Sequence, residues 1–289
     1  MSKTILVTGT SNGFGKDAAM TLAEAGHQVF ATMRNPKTRN RTAAEEFRSK
    51  GIDVLELDVT RDSSVEEAFK ELYKRTDSKL DVLINNAGLF AQGIAETYMP
   101  EQVRDMFEVN VFGIQRVTRA ALPEMRKRKS GLIINIGSIL GRVTIPFTGL
   151  YGASKFALEA LTEGYRYELS QLGVDVVLVQ PSAYPTGLYS ATLQPADAGR
   201  AAEYGEIAAL PGAFVEFLKG VFSSSNAPDS HDVSKAVVEL IATPAGKRPD
   251  RVIVGAGYGA DAVNEAVRPI QAQMIAGIGF GKLEKLNVF

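Results

Sequence analysis

The 289-residue chain contains no cysteine. Disulfides, thiolate metal ligands and thiol nucleophiles are thereby excluded together, and the composition suits a reducing, cytoplasmic setting. Neither sign of charge predominates: 32 Lys and Arg stand against 33 Asp and Glu, a formal net charge of -1. Such a balance gives no general attraction to nucleic acid or to an anionic membrane. The basic run Arg126 to Lys129 falls at the end of an expected helix, where the helix dipole and solvent account for it. No stretch reaches the roughly 18 apolar residues of a spanning helix. Residues 1–4 lead straight into an apolar run, so no secretory leader is read there. Of the two histidines, neither His27 nor His231 has a carboxylate or second histidine at metal-ligand spacing, and no metal is expected. The expectation is a cytoplasmic protein whose partner is a small molecule.

A chain of this length can bury about 75% of the surface it exposes unfolded, enough for one large core. Short apolar runs alternate with amphipathic stretches. Strands are expected at 5–8, 28–33, 53–57, 82–85, 132–136, 175–179 and 251–254. Helices are expected at 13–25, 42–50, 63–74, 101–129, 151–172, 233–242 and 260–274. The strand at 175–179 has the continuous apolar character of a strand covered on both faces. The fold class is therefore α/β, one domain over 1–289 with a doubly wound parallel sheet and a C-terminal helix. Between 187 and 229 the rhythm fails, with Gly, Pro and Ser around a single expected helix at 212–222. This stretch reads as an insertion over a pocket.

Thr8-Gly9-Thr10-Ser11-Asn12-Gly13-Phe14-Gly15 falls between the first strand and the first helix. Glycines there permit a tight turn and close approach of a pyrophosphate, to which the helix N-terminus adds its positive end. Further on, Tyr151 and Lys155 are four residues apart on one helical face, with Ser138 upstream. A cation beside a phenol lowers its pKa by roughly 1–3 units, into a range where it can exchange a proton with a carbonyl oxygen. Ser138 would supply a second hydrogen bond to that oxygen.

The glycine spacing, with Asn85-Asn86-Ala87-Gly88, Asn110, Ser138, Tyr151 and Lys155 in that order, resembles the short-chain dehydrogenase/reductase family. The likeness covers about 3–186, and the strand at 28–33 with Arg34 is similar to the hydroxysteroid and retinol dehydrogenase branch. It implies a Rossmann fold and a catalytic set of Asn110, Ser138, Tyr151 and Lys155. Lys155 would also bind the nicotinamide ribose, and Asn110 would help hold a water linking that lysine to solvent. Cofactor contacts are implied for Gly9, Ser11, Asn12, Gly13, Phe14, Gly15, Asp58, Val59, Asn86, Ala87, Gly88, Pro181 and Thr186. The family's Pro-Gly after the sixth strand is here Pro181-Ser182, which puts the backbone around Thr186 in doubt.

An acid about 20 residues beyond the glycine turn would bind the ribose hydroxyls of NAD. Met33 stands there instead, followed by Arg34, which suits a 2′-phosphate, so NADP(H) is expected. Lys37, Arg39 and Arg41 read as cations solvating a loop. Asp58 reads as an adenine contact or as an ordinary turn carboxylate. Leu140, Ile145, Phe147, Tyr184, Leu188 and Tyr189 adjoin the chemistry and would present an apolar lining to a bulky or aromatic ketone. The expected activity is hydride transfer between NADPH and a carbonyl. A non-catalytic cofactor-binding sensor and a sugar-nucleotide epimerase or dehydratase remain open. The helices at 101–129 and 151–172 commonly pair between subunits in the resembling family, so a dimer or tetramer is expected.

Overall fold

The computed structural model describes residues 1–289, with the side chains of Ser190 and Ala198 excepted. Seven parallel strands form one sheet: β1 (Thr4–Val7), β2 (Gln28–Met33), β3 (Asp53–Glu56), β4 (Val82–Asn85), β5 (Gly131–Ile136), β6 (Val174–Pro181) and β7 (Arg251–Val254). Their spatial order is β3-β2-β1-β4-β5-β6-β7. The chain works outward from β1 to one edge, then returns to build the other half from β4. Ligand crevices in such sheets open beyond the carboxyl ends of the strands on either side of that reversal.

Alternation along each strand sends side chains to opposite faces. Ile5 and Val7 of β1 join one core with Leu22, Phe47, Val237 and Leu240. Those residues come from α1 (Gly13–Glu24), α2 (Arg41–Ser49) and α10 (His231–Ala242). Leu6, between them, joins the other core with Phe69, Val117, Met125 and Leu169. These belong to α3 (Asp62–Thr76), α5 (Gly113–Arg128) and α6 (Gly149–Ser170). With both faces covered, all eight residues of β6 are buried, which is why its sequence is unbrokenly apolar apart from Asp175 and Gln180.

The expected helix at 101–129 is three pieces: α4 (Pro100–Phe107), one π-helical turn at Glu108–Phe112, and α5. Asn110 explains the interruption. Its Oδ1 accepts from Leu89 N at 2.8 Å, and its Nδ2 donates to Leu89 O at 2.9 Å and to Ser154 Oγ at 3.0 Å. These bonds draw the buried side chain inward, and the helix takes up an extra residue to allow it. Residues 187–229 hold more structure than the one expected helix: α7 (Gly187–Ser190), α8 (Ala198–Ala202), a 3₁₀ turn at Gly205–Ala209 and α9 (Leu210–Phe222). Thr186 and Asp197 cap the two short helices, a local signal hidden among Gly and Pro. The chain closes with α11 (Ala260–Gly277) and a 3₁₀ turn at Gly281–Glu284.

Candidate active site

The turn after β1 is held open by hydrogen bonds from β4. Asn86 and Ala87 donate their amides to Thr8 Oγ1 at 2.9 and 3.1 Å, and Asn86 Nδ2 donates to Thr8 O at 2.9 Å and Gly9 O at 3.1 Å. Gly9 has φ +69°, and a Cβ there would lie 2.8 Å from Ala87 Cα, so only glycine fits. Gly15 serves the same packing, since its Cβ would meet Asn86 Nδ2 at 2.3 Å. It lies behind the cleft and does not line it. Gly9, Ser11, Asn12, Gly13 and Phe14 do line it. Asn12 makes no side-chain capping bond to the first turn of α1, which leaves the helix N-terminus suited to an anionic group. This open cradle fits a dinucleotide.

The same cleft runs past Val59, Asn86, Ala87 and Gly88 to Tyr151, Lys155 and Thr186. Asp58 lines it while its Oδ1 accepts from Thr60 N at 3.0 Å and Thr60 Oγ1 at 2.8 Å, so the turn role and the cleft position coexist. At the β2 end the cleft is lined by Arg34 and also by Arg39. Arg39 had read as a loop cation. The turn at Asn35, with φ +49°, and the bond from Asn40 Nδ2 to Arg34 O at 2.6 Å fold 35–40 back on the cleft. Arg41 is instead tied to Glu45 at 2.7 Å.

Tyr151, Ser138 and Lys155 converge beyond β5. Ser138 caps a short turn, its Oγ accepting from Leu140 N at 3.1 Å. Tyr151 is 6% exposed and its ring meets Phe90 edge-on at 4.8 Å. Lys155 Nζ donates to Ile136 O at 2.9 Å and stands 5.7 Å from the Tyr151 ring centre. The expected lowering of the phenol pKa is reversed. Burial pushes the Tyr151 phenol well above its usual range, with Tyr189 adding to the rise and a hydrogen bond from Ser138 opposing it. The lysine sits against the backbone carbonyl, so desolvation outweighs the cation. Burial also pushes the Lys155 ammonium down, to about 8, while Glu159 opposes the fall. Asn110 is committed to Leu89 and Ser154, and Ser154 Oγ donates to Tyr151 O at 2.7 Å. Asn110 thus braces the start of α6 from behind.

A second cavity, of about 410 Å³, opens on the other side of Tyr151. Ser138, Leu140, Ile145, Tyr184, Leu188 and Tyr189 line it, and so does Pro181, which had been assigned to the cofactor. Phe147 is outside the lining: at φ +66° it turns the chain, and its carbonyl accepts from Gly93 N at 2.8 Å. Tyr184 is 1% exposed and meets Phe14 edge-on at 5.6 Å. Residues not foreseen complete the wall: Phe90, Tyr258, and Phe214, Phe217 and Leu218 of α9. The apolar face of the 212–222 segment was their one sequence signal. Ser182 causes no distortion. Its φ is not positive, and its amide donates to Val254 O at 2.9 Å, continuing the pairing of β6 with β7.

Of the two histidines, His231 Nδ1 lies 2.9 Å from Asp17 Oδ2, away from the cleft. No helix among the described residues is long and apolar enough to cross a membrane.

The family model described as short chain dehydrogenase matches residues 3–196. A 3-ketodihydrosphingosine reductase from Bacteroides thetaiotaomicron is 41% identical over 183 residues, 63% of this chain and 64% of that protein. Human retinol dehydrogenase 8 is 35% identical over 189 residues, 64% of this chain and 60% of that one. The alignment thus spans less than two thirds of either relative. A crystal structure of a short-chain dehydrogenase from Streptomyces avermitilis superposes with a TM-score of 0.74 at 30% identity, covering 96% of both chains. The match extends over the glycine turn, Ser138, Tyr151 and Lys155, and this protein belongs to the short-chain dehydrogenase family of oxidoreductases.

Proposed function

We propose that the protein is an NADPH-dependent carbonyl reductase, with the reverse alcohol oxidation available to it, acting on a bulky apolar or aromatic ketone or aldehyde. One observation carries the reading: Tyr151 lines both the dinucleotide cleft and the apolar cavity. A hydride source on one side and a carbonyl on the other would meet at its hydroxyl. The nicotinamide cofactor supplies the hydride when bound. Tyr151 gives the proton to the developing alkoxide, Ser138 holds the same oxygen, and Lys155 supplies positive charge beside them. Asn110 positions α6 through Ser154. The whole of 1–289 works as one domain in this reading, with 187–229 covering the substrate. The decisive experiment follows NADPH absorbance with aryl ketones, ketosteroids, retinal and simple aldehydes, with NADH alongside. Cofactor binding without turnover on any compound would sink the reading.

The preference for NADPH rests on Arg34 and Arg39, which face the cleft and make no ion pair among the described residues. One charge-assisted contact to a 2′-phosphate gives on the order of 10 to 100-fold discrimination. Arg34→Ala is therefore expected to raise the KM for NADPH at least about 10-fold and leave that for NADH within about 3-fold. Equal losses with both cofactors would remove Arg34 as the phosphate reader.

Self-association is supported by two exposed aromatics on the helices named for it, Phe112 at 52% and Phe156 at 42%. Light scattering should give a mass of two or four chains, and Phe156→Glu should lower it. A monomer at micromolar concentration would refute the assignment. A cytoplasmic location accords with the absence of cysteine.

A further inference from the structure

One helical turn beyond Lys155, α6 buries a carboxylate for which the reaction above has no use. Glu159 is 4% exposed. Its stem packs on Gly141, where a Cβ would come within 2.9 Å of Glu159 Cγ and 3.0 Å of Lys155 O. The side chain therefore backs the turn that begins at Ser138. Its oxygens are divided between two strands. Oε1 accepts from Gln180 Nε2 of β6 at 2.5 Å, and Oε2 accepts from Arg251 Nε of β7 at 3.1 Å.

The arrangement continues outward. Gln180 Oε1 accepts from Asn264 Nδ2 of α11 at 2.8 Å, and Asn264 Oδ1 accepts from Arg142 Nε at 2.8 Å. Arg251 is also paired with Glu163 and Asp250, and Arg268 reaches Asp250 at 3.1 Å. Most of these groups line a polar cavity of about 170 Å³ beside the later turns of α6. Burial pushes the Glu159 carboxyl up, while Gln180, Arg251 and Arg142 pull it back. A carboxylate bonded to a guanidinium stays ionised where an isolated one would take up a proton. Lys155 itself is faced by the Ile136 carbonyl, the Tyr151 ring and, along its own helix, by Glu159.

We propose that Glu159 is a positioning residue for Lys155: clamped by Gln180 and Arg251, its carboxylate holds the lysine in the charged form and braces the Ser138 turn. The inference rests on the reading of Lys155 given above. It makes the last strand and the C-terminal helix part of the catalytic apparatus, although neither touches the reacting atoms.

Glu159→Gln keeps the shape and removes the charge. The alkaline limb of kcat/KM for carbonyl reduction should move down by about one unit relative to the parent protein. Glu159→Asp, which keeps the charge, should return the limb towards its parental position whatever its kcat. A fall in kcat with an unmoved limb would mean a merely structural prop and would overturn the proposal. The second measurement needs no turnover: titration of the Lys155 side-chain carbon signal in 13C-lysine-labelled, cofactor-free protein, assigned by its loss in Lys155→Met. A lowered midpoint in Glu159→Gln supports the proposal even if every carbonyl fails as substrate. An unmoved midpoint refutes it even if the reductase reading stands. If Glu159→Gln does not fold, Gln180→Met removes one of the two bonds that hold the carboxylate ionised, and a smaller downward shift of the Lys155 midpoint is expected; an unmoved midpoint would count against the proposal.

Discussion

Tyr151→Phe is expected to cut turnover by at least about 100-fold while leaving cofactor affinity within a few-fold. The substitution removes one oxygen and nothing else that matters to packing. The ring keeps its edge-on contact with Phe90 at 4.8 Å, and α6 keeps Ser154 bonded to the Tyr151 carbonyl. The loss is therefore chemical. Burial holds the phenol above its ordinary range, so it remains protonated throughout neutral pH and is ready to donate during reduction. The same shift makes it a reluctant base for the reverse reaction, which should need a higher pH. Steady-state kinetics in both directions check this. Turnover within about 3-fold of the parent would remove Tyr151 as the acid.

Lys155→Met should abolish most activity and yet stabilise the cofactor-free protein. The lysine is buried with its ammonium pushed from 10.5 down to about 8. That displacement is worth roughly 3 kcal/mol of destabilisation at neutral pH. Against it stands the bond from Nζ to Ile136 O at 2.9 Å, whose loss leaves a buried carbonyl unpaired at a cost of about 1–3 kcal/mol. The balance favours methionine by about 1 kcal/mol, or a few degrees of Tm. The pH dependence identifies the cause. The folded protein binds this proton less readily than the unfolded chain, so the penalty is complete below about pH 8. It fades as pH rises from there towards 10.5, where the unfolded lysine also loses its charge. Thermal unfolding should therefore find the methionine variant the more stable at pH 7, and its advantage should shrink and then reverse as pH rises towards 10.5, where only the lost bond to Ile136 O separates the two proteins. A stability difference that does not change with pH would show that packing, not charge, is responsible.

The sheet was legible because a strand covered on both faces must be apolar at every position, as β6 nearly is. The glycine turn and the Tyr151–Lys155 spacing were legible because each states a local geometric need. What escaped depends on contacts remote in sequence. Arg39 and Arg41 look alike in the chain, and only the turn at Asn35 and the partner Glu45 separate the one in the cleft from the one outside it. The phenol was expected to fall in pKa, because sequence shows the neighbouring cation and not the burial that defeats it. Phe214 and Phe217 are one stacked pair, 6.3 Å between ring centres, on a helix whose place over the cavity follows from Thr186 and the chain beyond it. Glu159 looked like any helix carboxylate until β7 brought Arg251 to it.

The π-helical turn at Glu108–Phe112 sets a trade between local and distant interests. Deleting one residue from it would let α4 and α5 fuse into a single, better-bonded rod. Each residue of an α-helix advances by about 100°, so the healed rod would swing the side chain at 110 off Leu89 and Ser154. A shorter variant of this segment would gain as a helix and lose as an enzyme, and tolerance of insertions should be greater at the 187–229 cover than at this one-residue surplus. In this sense 108–112 is a frozen insertion, kept for the direction it gives to one amide.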